Sequence, residues 1–154
     1  MGEEAFTFLD PGELVDGDLR LVLKERVPAD PAKGHVPAYA FDMILAGTSQ
    51  RIGHVSLRVG NTRHLVRYAG HIGYGVDPEH RGHRYAARAC RLILPLARRH
   101  GLNPLWITVT PDNIASKRTC EILGAELVET VELPEDTDMY ARGERHKCRY
   151  RLGL

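Results

Sequence analysis

Between Val76 and Ala86 the hydrophobic period of the chain changes, and that change limits the folds open to it. Gly70 to Val76 reads as a short strand that stops at Asp77-Pro78, where proline fixes φ and withdraws a backbone donor. From His83 onward Ala86, Ala89, Cys90, Ile93, Leu94 and Ala97 recur at spacings of three and four, opposite Arg84, Arg88 and Arg91. This predicts an amphipathic helix stopped by Gly101, with a kink where Pro95 removes a backbone donor. A strand that runs into a helix N-terminus across Arg81-Gly82 makes an anion site. The first N–H groups of a helix have no internal partners, its dipole favours negative charge, and glycine lets a phosphate approach the backbone. Arg81, Arg84 and Arg88 could add charge-assisted bonds there.

The flanking segments complete the pattern. Leu19 to Glu25 and Val36 to Leu45 read as strands, and the polar turn Ala46 to Gln50 leads into Arg51 to Val59, whose alternation marks a strand with one buried face. Leu105 to Thr110 reads as a strand, Asp112 to Leu123 as a helix ended by Gly124, and Glu126 to Leu133 as a strand. A polar loop from Pro134 to His146 precedes a last strand, Lys147 to Leu152. The order predicts an α/β arrangement with a mixed sheet rather than a doubly wound one. Ligands in such sheets gather where strands end and a helix begins.

Length and composition bound the partners. With 154 residues and 43% hydrophobic content, one domain spanning 1–154 is expected. No apolar run approaches a membrane span and Met1 to Asp10 is acidic, so a soluble, cytoplasmic protein with no membrane association is expected. Cys90, Cys120 and Cys148 are widely spaced and form no Cys-x-x-Cys pair, which reads as reduced thiols. His80 and His83 lack further ligands at a suitable spacing, so no metal is expected. A net charge of +1 gives no global reason to bind nucleic acid, although the arginines of the helix are concentrated in one stretch.

Val76-x-Pro78-x-x-Arg81-Gly82-x-x-x-Ala86 resembles the acetyl-CoA pyrophosphate loop of the GNAT (Gcn5-related N-acetyltransferase) superfamily, small bacterial single-domain type. Arg84 stands where the family usually has its central glycine. Asn113-Ile114-Ala115-Ser116, followed by Glu121-Ile122-Leu123-Gly124-Ala125, resembles the family's Asn-x-x-Ser/Ala helix, although Asn113 also reads as an ordinary helix cap. Gly70 to Val76 resembles the family's central strand. The resemblance implies the GNAT fold, a mostly antiparallel central sheet flanked by helices. It also implies cofactor contacts from Tyr74, Val76, Arg81, Gly82, His83, Arg84, Tyr85, Ala86, Asn113 and Ser116.

The implied activity is transfer of an acetyl group from acetyl-CoA, as co-substrate, to an amine of a small molecule or a protein N-terminus, by direct attack in a ternary complex. The alternative is a non-catalytic acyl-CoA-binding or sensor domain. The family's frequent general acid is a tyrosine seven residues after the helix asparagine, and here that position is Cys120. Cys120 is therefore the candidate acid, and His71 on the central strand, Glu79 and His80 are the candidate bases, none of them favoured by a motif, with an ordered water and the bound cofactor alone as the alternative. Asp136, Asp138, Tyr140 and Glu144 of the polar loop could meet a cationic acceptor. The resemblance permits a homodimer.

Overall fold

In the computed structural model, which describes residues 6–154, the first half of the chain forms one antiparallel sheet in chain order. Residues 1–5, the start of the unit expected to span 1–154, lie outside the described residues. The strands are β1 (Leu14–Asp16), β2 (Leu19–Val27), β3 (Ala38–Leu45), β4 (Arg51–Arg58) and β5 (Ile72–Val76). Alternation in β4 puts Gly53, Val55 and Leu57 on the buried face and leaves His54 exposed. A bulge at Ile52, between the Met43–Gly53 and Ile44–Arg51 pairs, turns that side chain inward as well.

Helix α1 (Tyr85–Arg99) crosses from β5 to β6 (Leu105–Val109), and α2 (Ile114–Leu123) leads to β7 (Glu126–Glu132). The loop after β7 contains a single helical turn, α3 (Asp138–Ala141), not expected from the sequence, before β8 (His146–Leu152) enters between β6 and β7. Every strand ladder among the described residues is antiparallel. The expected sheet flanked by helices is therefore present, but it is divided in two, because β5 and β6 form no ladder with each other.

The core lies between the first sheet and α1. Tyr39, Phe41, Met43, Val55 and Leu57 meet Ala89, Cys90, Ile93, Leu96 and Ala97, all within 3% of fully buried. Each large apolar side chain removed from water in this way contributes roughly 1.5–3 kcal/mol before the entropy cost of ordering it. The buried stripe of α1 is rotated slightly from the expected one: Tyr85 and Leu96 are inside, whereas Ala86 and Leu94 are only partly covered. The helix continues through Pro95 without interruption. Pro95 lies on the exposed face of the helix. All three cysteines are buried and unbridged.

Candidate active site

The divided sheet is pinned at one point. The His71 N–H donates to the Trp106 carbonyl (2.7 Å), and the Trp106 N–H donates to His71 Nδ1 (2.8 Å). The imidazole thus stands in for a backbone acceptor in one rung of a ladder. Because Nδ1 accepts, the proton resides on Nε2, which donates to the Gly60 carbonyl (2.9 Å) and lies 3.1 Å from Asn61 Oδ1. His71 is fully buried and burial lowers its pKa, so it is held neutral. Both ring nitrogens are occupied and the ring faces neither cavity described below. The sequence expectation of a base at His71 is corrected: the residue closes the apex of the splay.

Beyond that apex the edge of β5 is open. In the β4–β5 ladder Arg58 N–H donates to His71 O and Asp77 N–H to Ile52 O, so hydrogen-bonded pairs alternate from residue 71 to residue 77. The main-chain groups of Ile72, Tyr74 and Val76 consequently face away from β4, toward the gap between the sheets. The Val76 carbonyl there accepts from Arg81 Nε (3.2 Å).

A groove of about 500 Å³ runs along this edge to the start of α1. It is lined by Tyr74, Val76, Arg81, Gly82, Arg84, Tyr85, Ala86, Asn113 and Ser116 among the expected cofactor contacts, by the candidate base His80, and by Arg118, Thr119 and Ile122, for which no role was expected. Arg84, in the family's glycine position, adopts the left-handed conformation (φ 60°, ψ 26°) at the N-cap of α1, and it is the one non-glycine residue with positive φ among the described residues. The backbone therefore keeps a glycine's path while the side chain is arginine. No side chain caps α1, so its first N–H groups remain open. His83 does not line the groove; its ring lies against Tyr85. Arg88 is unavailable to an anion, because Nε bonds Asp16 (2.9 Å) and Nη2 bonds Asp18 (2.7 Å), while the Tyr85 hydroxyl also donates to Asp18 (2.7 Å).

At Tyr74, Asn113 and Ser116 the groove opens into a cleft of about 1,040 Å³. Asn113 caps α2 through Oδ1, which accepts from the Ser116 N–H (3.1 Å), as a helix-start reading anticipates. The Tyr74 hydroxyl points to the Ser116 carbonyl (3.5 Å), and burial raises its pKa, so the phenol stays protonated. Cys120 is fully buried, borders neither cavity, and has its thiol pushed up to about 12 by burial. This placement keeps the Cys120 thiol away from both cavities, against the expectation of an acid there, whereas the Tyr74 phenol lines both.

The cleft also revises the expected acidic acceptor loop. Its lining carries five cations, Lys33, Arg58, Arg63, Arg142 and Lys147, against three carboxylates, Asp136, Asp138 and Glu144. Glu144 is paired with Lys147 (2.7 Å) and Arg142 (3.3 Å), and the Tyr140 ring is covered by Arg145 at 3.7 Å. Among the described residues no group of three metal-ligating side chains occurs, and no helix is long and apolar enough to cross a membrane.

No curated protein matches the chain in sequence. Solved structures match it in fold. An acetyltransferase (GNAT family) from Bacillus anthracis is 20% identical with a TM-score of 0.59, covering 74% of this chain and 65% of that one. A Vibrio cholerae structure assigned as a ribosomal-protein-serine acetyltransferase is 17% identical with a TM-score of 0.67, covering 95% and 100%. The microcin C7 self-immunity acetyltransferase MccE, solved with acetyl-CoA and AMP, is 17% identical with a TM-score of 0.59, covering 76% and 61%. The chain thus spans less than two thirds of the first and last of these and the full length of the second. The model of the acetyltransferase (GNAT) domain matches residues 8–126, which carry the open β5 edge, the Arg81–Ala86 loop and Asn113, and the chain belongs to that family.

Proposed function

We propose that the chain, as one domain over residues 1–154, is an acetyl-CoA-dependent N-acetyltransferase that joins donor and amine acceptor in a ternary complex. The observation that carries this reading is the continuity of the groove. It begins at an uncapped helix N-terminus with Arg81 and Arg84 beside it, follows the unpaired edge of β5, and ends at Tyr74 where a second cavity opens. A pyrophosphate fits the first part and a pantetheine arm, with its amides, fits the second. Acetyl-CoA supplies an acetyl thioester, and its presence in the MccE structure supports the same donor here.

The residues then divide the work. Gly82 and the N–H groups opening α1 hold the phosphates, Arg81 and Arg84 add charge, and His83, although turned from the groove, completes the loop backbone. Asn113, Ser116 and Val76 flank the arm. The Tyr74 N–H, facing the open edge, polarises the thioester carbonyl as negative charge develops on its oxygen. The amine nitrogen enters from the cleft and its lone pair forms the new N–C bond. As the C–S bond breaks, the sulfur takes a proton from the Tyr74 hydroxyl, and the nitrogen releases one to solvent, restoring the balance once the phenol is reprotonated.

Calorimetric titration with acetyl-CoA and CoA, followed by an amine panel read by free-thiol release, tests the reading. Binding with turnover is expected. Binding without turnover across the panel would favour an acyl-CoA sensor, and absence of binding would overturn the assignment of the groove.

A further inference from the structure

Among the side chains that line the cleft is Arg58. Its Nη1 donates to the carbonyls of Ala69 (3.2 Å) and Gly70 (3.0 Å), which fixes the guanidinium, and among the described residues it has no carboxylate partner. Nη2 lies 3.1 Å from the place a Cβ on Gly73 would take, so the absence of a side chain at residue 73 is what leaves the guanidinium its position. Nε and Nη2 carry no protein hydrogen bond and are not sealed from the cleft that the residue lines. Burial without a counterion lowers the pKa of this group, which means that the protein pays to keep a cation here.

A half-buried arginine with two fixed donors, no partner and a net cationic surround is complementary to a planar or tetrahedral oxyanion. It sits beside Gly73, one residue from Tyr74, on the acceptor side of the point where the two cavities meet. We propose that Arg58 selects the acceptor: an amine that carries a carboxylate or phosphate close to its nitrogen, held by the Nε and Nη2 of Arg58 while the nitrogen faces Tyr74. The inference rests on the acetyltransferase reading above, and it excludes polyamines as preferred acceptors, since they would add positive charge to a cationic cleft.

Matched pairs test it, with acetyl-CoA affinity measured on the same samples. Glycine is compared with glycinamide, L-alanine with L-alaninamide, and O-phosphoethanolamine with ethanolamine, with spermidine as polycation. The amides hold more free amine at neutral pH, so intrinsic reactivity opposes the expected result. The anionic member of at least one pair should be favoured tenfold or more in kcat/KM, and whether the carboxylate or the phosphate pairs respond identifies the anion. Arg58→Gln should bring that ratio near one through KM, and Arg58→Lys should restore part of it. If Arg58→Gln fails to fold, loss of the wild-type preference with rising salt and a weaker effect from Arg63→Gln give the same information. Equal use of paired amines, preference for spermidine, or no turnover of any anionic amine by protein that binds acetyl-CoA would overturn the inference. Failure to bind acetyl-CoA would instead overturn the reading on which it rests.

Discussion

The groove at α1 and the cleft beyond Tyr74 meet at three residues but are built from different material. In the groove the donors are main-chain N–H groups, at the start of α1 and along β5, with arginines at its rim. In the cleft they are side chains brought from β4, from the segment after it, from the β2–β3 and β7–β8 loops and from β8. A backbone donor survives substitution as long as the backbone path survives, and Arg84 shows this by holding φ at 60° where a glycine is usual in the family. A side-chain donor is lost with its residue. The groove should therefore respond to changes of conformation, and the cleft to changes of identity.

The largest expected effect tests the apex that ties the two sheets together behind both cavities. His71→Ala leaves the Trp106 N–H and the Gly60 carbonyl without their buried partner and should cost about 3 kcal/mol in denaturant unfolding. A cost under 1 kcal/mol would show that the splay is held elsewhere. Burial lowers the pKa of both His71 and His100 from 6.5, so near and below that value the unfolded chain binds more protons than the folded one. Stability should be complete above about pH 6.5 and should fall as pH falls toward the lowered values, a slope that His71→Ala should reduce.

Next in size is Tyr74, one of the three residues common to both cavities. Tyr74→Phe should lower kcat roughly 100-fold with acetyl-CoA affinity nearly unchanged, whereas Cys120→Ala should leave turnover within about twofold. The reverse ranking would return the acid to the thiol. Burial keeps both groups protonated to alkaline pH, so neither should produce a falling limb in the rate between pH 7 and about pH 10.

Two smaller effects separate side-chain from backbone contributions within the groove. Arg81→Ala should weaken acetyl-CoA binding by about 1–2 kcal/mol through loss of a charge-assisted bond, read by calorimetry. Undiminished affinity would mean that the backbone donors suffice. Arg84→Gly should raise folding stability by roughly 0.5 kcal/mol, the relief of left-handed strain less the entropy cost of glycine, and Arg84→Ala should show no such gain. Equal behaviour of the two variants in thermal unfolding would indicate that contacts of the arginine, rather than loop geometry, impose φ.

What was legible in the residues was local. The end of β5 at Asp77-Pro78, the loop through Arg81-Gly82, the start of α1 and the cap at Asn113 are each set within a few consecutive positions, by φ restriction, hydrophobic period and side-chain capping. These determine a strand, an anion-binding turn and a helix whatever surrounds them, and they were enough to place the groove. The tertiary structure alone decided which charges were free and which titratable groups could reach the reaction. Arg88 is neutralised by Asp16 and Asp18, 72 and 70 residues away, and His71 is taken up by Trp106, 35 residues away. Coulombic pairing and desolvation depend on distance in space, which sequence spacing does not encode, so the same residues that located the groove pointed to Cys120 and His71, which line neither cavity.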